Sequence, residues 1–125
     1  MYIIICLDDN NGLAFNHRRQ SQDRIVEEDI SKTVGEKKLW ITDYSRKLFQ
    51  AVSNLEISEN PKAEAKEGEY VFQELETLDT GDKRIEQFII YRWNRVYPAD
   101  VSVEIGAEWK LTETEEFPGF SHEKI

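Results

Sequence analysis

Several groups of residues in this chain have the types and spacing that chemistry requires. Asp23 stands at the start of an amphipathic segment, where a carboxylate beside the mouth of a sheet accepts hydrogen bonds from an amidine-like edge of a heterocycle. It equally complements the positive end of a helix dipole. Asn10-Asn11-Gly12 reads as a ligand-covering loop, with Asn11, Gly12 and Phe15 against the ligand, or as a plain turn whose Asn-Gly pair supplies a positive φ. His17-Arg18-Arg19 is a compact cationic cluster, with Arg24 near the next helical turn. It receives a phosphate or carboxylate in an Arg fork, or pairs with Asp8, Asp9, Glu27 or Glu28 as a solvated loop. Cys6, inside an apolar run, reads as a small core residue. The two histidines, His17 and His122, stand apart from any ligand spacing, so no metal site is expected. Tyr91, Trp93, Tyr97 and Trp109 serve as core packing or as a stacking wall for a ligand.

These residues need elements to hold them. Tyr2-Ile3-Ile4-Ile5-Cys6-Leu7 is a β-rich run ending at the turn formers of residues 8–12, which predicts a central strand buried on both faces. Ser21 predicts the cap of a helix from residue 22 to about 34, with Ile25, Val26, Ile30 and Val34 on one stripe and Gly35 as its stop. Residues 38–42 predict a second strand. Asp43 then caps another helix, with Tyr44, Leu48, Phe49 and Val52 sharing a face. Strand, helix, strand, helix is a parallel α/β start. Residues 56–69 read as a solvated connection, or as an arm for self-association. Residues 69–75, 85–93, 101–105 and 109–112 read as strands with no helix between them, so the tail is expected to be a meander or hairpin. By parity, Phe88 and Ile90 share one face and Tyr91 and Trp93 the other.

The length, 125 residues, fits a single domain over residues 1–125. Charged residues make up 33%, above the roughly 25% of an average domain, yet 3 Trp, 5 Tyr and 6 Phe are too many for a disordered polar chain. No apolar run approaches the ~20 residues of a membrane span, and no basic segment precedes one as in a signal peptide. A soluble cytoplasmic protein is therefore expected, with no membrane partner. The net charge of −9 excludes duplex nucleic acid as a favoured partner, because phosphate binding needs clustered Lys and Arg. The charge is uneven: residues 1–50 carry eight acidic and eight basic side chains, whereas residues 51–125 carry seventeen and eight. Any anion site should lie in the first part.

Taken in order, these pieces resemble the dihydrofolate reductase family. The first strand, the loop Asp9-Asn10-Asn11-Gly12-Leu13 and Ser21-Gln22-Asp23-Arg24 opening a helix resemble that family's start, where a Gly-containing loop precedes a substrate-binding acidic residue. Residues 38–49 resemble its second strand and following helix. Ile85-Glu86-Gln87-Phe88-Ile89-Ile90-Tyr91-Arg92, then Tyr97-Pro98-Ala99-Asp100 and Trp109, resemble its penultimate hairpin. The resemblance covers roughly two-thirds of the chain through short motifs. It implies an α/β fold with a mixed sheet, flanking helices and an antiparallel C-terminal hairpin, its middle elements reduced. The chain is also similar to small bacterial proteins, some carrying a ribonuclease Z label, but two histidines are too few for that binuclear centre.

The family holds NADPH with an Arg-bearing turn after the second strand and a later Gly-Gly step. Here the turn reads Thr42-Asp43-Tyr44-Ser45, the chain has no Gly-Gly pair, and Tyr70-Val71-Phe72-Gln73-Glu74 stands where that step would follow. The expectation is a binding or regulatory module for a small-molecule ligand, with no cofactor. The alternatives are an NADPH-dependent reductase of a pterin-like or pyrimidine-like compound using Asp23, and a structural homodimer. What separates these readings is whether a pocket beside Asp23 is open and lined by Phe15, Ile41 or Trp40; a filled-in cleft points to the non-enzymatic reading.

Overall fold

A computed structural model of the chain describes residues 1–76, 80–106, 109–111, 114–115, 117 and 119. The apolar run at the start forms strand β1 (Tyr2–Leu7), and a hairpin of β2 (Gly12–Phe15) and β3 (Arg18–Arg19) follows it. Its two-residue turn, Asn16-His17, places both residues at positive φ (53° and 60°), which the primed hairpin turns require and which Asn and His tolerate. Helix α1 (Arg24–Val34), strand β4 (Leu39–Ile41), a 3₁₀ helix (Asp43–Phe49), β5 (Leu55–Ile57), the one-turn α2 (Pro61–Glu64), β6 (Tyr70–Phe72), β7 (Gln87–Arg92) and β8 (Val101–Ser102) complete the order.

Five strands form one sheet in the order β5-β4-β6-β1-β7, and every pairing in it is parallel. A second sheet, β3-β2-β8, is antiparallel. Strand β1 lies between β6 and β7 and is buried on both faces, as its unbroken apolar run predicts. Its alternate side chains feed two cores. Ile4 packs with Val26 and Ile30 of α1 and with Phe49, Phe72, Tyr91 and Trp93. Ile3, Ile5 and Leu7 pack on the other side with Leu13, Val71, Ile85 and Val103, and with Phe88 and Ile90. The parity read for residues 88–93 therefore holds, and core packing occupies Tyr91, Trp93 and Trp109.

Four sequence expectations need correction. Helix α1 starts at Arg24, capped by Asp23 rather than Ser21: the Asp23 side chain accepts from the Ile25 backbone N–H at 2.9 Å, with Asp23 in extended backbone (φ −150°). Gly35 ends it as expected, at φ 59°. Second, the segment after β4 is a 3₁₀ helix, and Asp43 does not cap it; its carboxylate pairs with Arg46 at 2.7 Å, and Tyr44 is exposed. Third, residues 56–69 contain the end of β5 and α2 rather than a plain connection. Fourth, no C-terminal hairpin joins the late strands among the described residues: β7 runs parallel to β1, and β8 pairs with β2. A short apolar run with both faces covered does not reveal its neighbour's direction. Residues 109–111 form no strand, and Thr112 and His122 lie outside the described residues.

Candidate functional site

The carboxyl ends of β1, β6 and β7 meet the first turns of α1 at a cleft of about 400 Å³, its solvent-open mouth included. Carboxyl ends are where open parallel sheets leave room for ligands, because adjacent connections part there to opposite faces. Phe49, Phe72 and Trp93, all buried in the core, are among the cleft's apolar lining residues, with Cys6 and Val26.

The cleft's polar lining joins Asp23, Glu27 and Glu74 with Arg19, Ser21 and the amides of Gln20, Gln22 and Gln73. Asp23 is buried at the N-terminus of α1, and Glu27, one turn on, shares its face. Burial raises the Glu27 carboxyl above the usual carboxylate range; Arg19 opposes the rise, while Asp23, Glu74 and Glu28 add to it. Glu74, just past β6, is also buried and grips Arg19 in a fork, with Nε to Oε2 at 2.6 Å and Nη2 to Oε1 at 3.1 Å. Ser45 Oγ donates to the same carboxylate at 2.5 Å. Arg19 further lies over the Tyr44 ring at 4.4 Å, and its backbone N–H donates to Tyr44 Oη at 3.1 Å. Residues 18–22 thus form a strap across the cleft, tied to the 3₁₀ helix and β6 through Arg19.

Behind the strap sits Asp8, fully buried at the end of β1. Its Oδ1 accepts from the Asn10 and Gly12 backbone N–H groups at 2.8 and 2.7 Å, and its Oδ2 from Gln20 Nε2 and the Tyr97 N–H at 3.0 and 3.1 Å. Burial alone would raise this carboxyl, but the backbone donors of Tyr97, Gly12 and Asn10, with Gln20, hold it below the ordinary range. The knot also explains Gly12. The positive φ in this turn falls on Asn11 (58°), not on the glycine. A Cβ on Gly12 would stand 2.6 Å from Gln20 Nε2, 2.8 Å from Ala99 Cβ and 2.9 Å from Asp8 Oδ2, so it is close approach that demands glycine.

The residues singled out in the sequence therefore separate. Asp23 and Arg19 line the cleft. Asn11 and Gly12 belong to the Asp8 knot, and Asn11 Oδ1 accepts from Arg92 Nη1 at 2.8 Å. Phe15, His17, Arg18 and Arg24 are exposed and outside the lining, Arg24 reaching Glu28 at 4.0 Å. Phe15, Ile41 and Trp40 do not line the cleft; Ile41 is in the α1-side core and Trp40 packs against the other. Sequence reading missed Gln20, Glu27 and Glu74. The four-residue step from Asp23 to Glu27 was a usable signal, as was Gln73-Glu74 directly after an apolar strand.

The Cys6 thiol, at the cleft floor, is pushed up far beyond its ordinary value by burial and then by Glu74 and Glu27. That shift favours the neutral thiol over the thiolate. Among the described residues no group of three or more His, Cys, Asp or Glu side chains is arranged to hold a metal, and no helix is long and apolar enough to cross a membrane. No protein-family model matches the chain, and no curated protein or solved structure matches it significantly.

Proposed function

We propose that the protein is a small-molecule binding or regulatory module on a reduced dihydrofolate reductase-like sheet, with the ligand seated beside Asp23. The observation that carries this reading is the carboxylate-bearing cleft at the carboxyl ends of β1, β6 and β7. The central parallel strand, the loop through Gly12 and the buried acidic cap of the next helix support the likeness in fold. A molecule with hydrogen-bond donors along one edge suits such a site, its donors toward the carboxylates.

The residues present do not fit NADPH. Glu74 and Arg19 fill the space after β6 where a glycine step would have to admit a diphosphate, and the turn after β4 presents the Asp43 carboxylate. No hydride-transfer step is therefore assigned. Titrating ¹⁵N-labelled protein with 2,4-diaminopyrimidine should shift the amides of residues 19–27 and 72–74, and Asp23→Asn should weaken binding at least fivefold. Calorimetry at low salt should detect no tight NADPH binding. The reductase reading gains its support from Asp23 alone: NADPH consumption with a dihydropterin, abolished in Asp23→Asn, would establish it in place of the first.

A further inference from the structure

Among the described residues, Gln20 carries the buried side-chain polar atom that has no hydrogen-bond partner, its Oε1. Its Nε2 donates to Asp8 Oδ2 at 3.0 Å and to the Pro98 carbonyl at 3.4 Å, which fixes the orientation of the amide. Rotated by half a turn, Oε1 would face a carboxylate oxygen and a carbonyl oxygen at those distances, and Nε2 would have neither acceptor. Asp8 is itself held by three backbone N–H groups and cannot turn to accommodate the change. The cost of the fixed orientation falls on Oε1, which is buried and has no hydrogen-bond partner. Buried acceptors in this condition are rare, and one left so is destabilised by its lost hydration.

Gln20 lines the same cleft as Asp23 and Glu27, whereas Asp8 and Pro98 do not. We infer that Gln20 is a specificity-determining residue of the cleft, its Oε1 an acceptor reserved for an N–H or O–H donor of the ligand. The inference rests on the ligand-binding reading and sharpens it. With Oε1, Asp23 and Glu27 all acceptors, the ligand must bring donors to more than one point of the wall, and a molecule whose nitrogens are alkylated is rejected. Oε1 is covered in the structure, so the donor reaches it as the strap of residues 18–22 eases outward. Arg19, tied to Glu74, limits how far that strap moves.

The test compares 2,4-diaminopyrimidine with 2,4-bis(dimethylamino)pyrimidine, which keeps the ring and lacks the N–H donors, on wild-type protein and on Gln20→Met. Wild type should bind the diamino compound at least tenfold more tightly, and Gln20→Met should shrink that ratio at least fivefold through the diamino compound. Diamino binding that is unchanged in Gln20→Met would overturn the role of Gln20 and leave the cleft as the binding site. Binding of neither compound by wild type would overturn both readings. Should Gln20→Met fail to fold, wild type decides alone: the Gln20 side-chain ¹H–¹⁵N pair and the backbone amides of residues 18–22 must move with the diamino compound and not with its methylated counterpart.

Discussion

Replacing Asp8 by Asn tests the knot that holds the cleft's rear wall. The side chain keeps its shape but turns one acceptor oxygen into a donor. If the new amide keeps its oxygen at the Oδ1 position, its nitrogen faces two donors, Gln20 Nε2 and the Tyr97 N–H. The cheapest relief rotates Gln20, so that Oε1 accepts from the new nitrogen; the Tyr97 N–H then lacks an acceptor and Gln20 loses Pro98. The bonds from Asn10 and Gly12 survive but lose their charge assistance. About 1–3 kcal/mol for the stranded donor and about 1 kcal/mol for each weakened bond give a loss of about 3–5 kcal/mol. For a domain of this size that lowers the melting temperature by roughly 10–15 °C. The pH dependence has a definite sign. The folded carboxyl lies below its ordinary 3.8, so the unfolded chain binds the proton more readily, and the stabilisation is full above that value and lost as pH falls through the folded value. Asp8→Asn should therefore cost most at neutral pH and progressively less below about pH 4. Urea unfolding followed by circular dichroism at pH 7 and in steps below pH 4 measures both effects. A loss under 1 kcal/mol at pH 7, or a loss that does not shrink in acid, would refute the knot.

Gly12→Ala should destabilise by about 1–3 kcal/mol, because its Cβ meets Gln20, Ala99 and Asp8 inside van der Waals contact; a neutral result in urea would show that the turn yields freely. Glu27→Gln should raise the melting temperature at pH 7. The folded Glu27 carboxyl lies above its ordinary 4.5, so it destabilises the native state once pH exceeds the folded value, and the gain should vanish below about pH 4. Cys6 should resist iodoacetamide at pH 8 in the native protein and react when urea unfolds it; rapid native labelling, read by mass spectrometry, would contradict its burial. Phe49→Ala should cost about 3–5 kcal/mol, since this fully buried ring meets Phe72 edge-on at 4.8 Å and its loss leaves a cavity.

Much of the sheet is legible where one physical signal acts alone. Tyr2-Ile3-Ile4-Ile5-Cys6-Leu7 has no polar alternation, and it is an interior strand of the sheet, covered on both faces. Val26, Ile30 and Val34 keep helical spacing, and they face the core. What fails is what depends on a partner distant in sequence. Whether β7 runs with or against β1 depends on a pairing partner some eighty residues away in sequence, which no local pattern states. Within the cleft, Asp23 is visible because it starts a periodic segment. Gln20 is invisible, because its meaning comes from Asp8 and Pro98, twelve and seventy-eight residues away. The cationic cluster misleads in another way: Arg19 is half-buried against Glu74 while its neighbours His17 and Arg18 face water, so adjacent basic residues do different jobs.

The Asp8 knot also bears on how the chain ages. Asn-Gly is the dipeptide most prone to deamidation, because the glycine amide nitrogen can swing onto the asparagine side-chain carbonyl and close a five-membered imide. In Asn11-Gly12 both reacting groups are engaged: the Gly12 N–H is held by Asp8 at 2.7 Å and the Asn11 carbonyl oxygen by Arg92 at 2.8 Å. Imide closure must turn the Gly12 nitrogen away from Asp8, so the folded protein shields its most labile peptide link. Each excursion to the unfolded state exposes it, and chemical lifetime thereby becomes a readout of conformational stability.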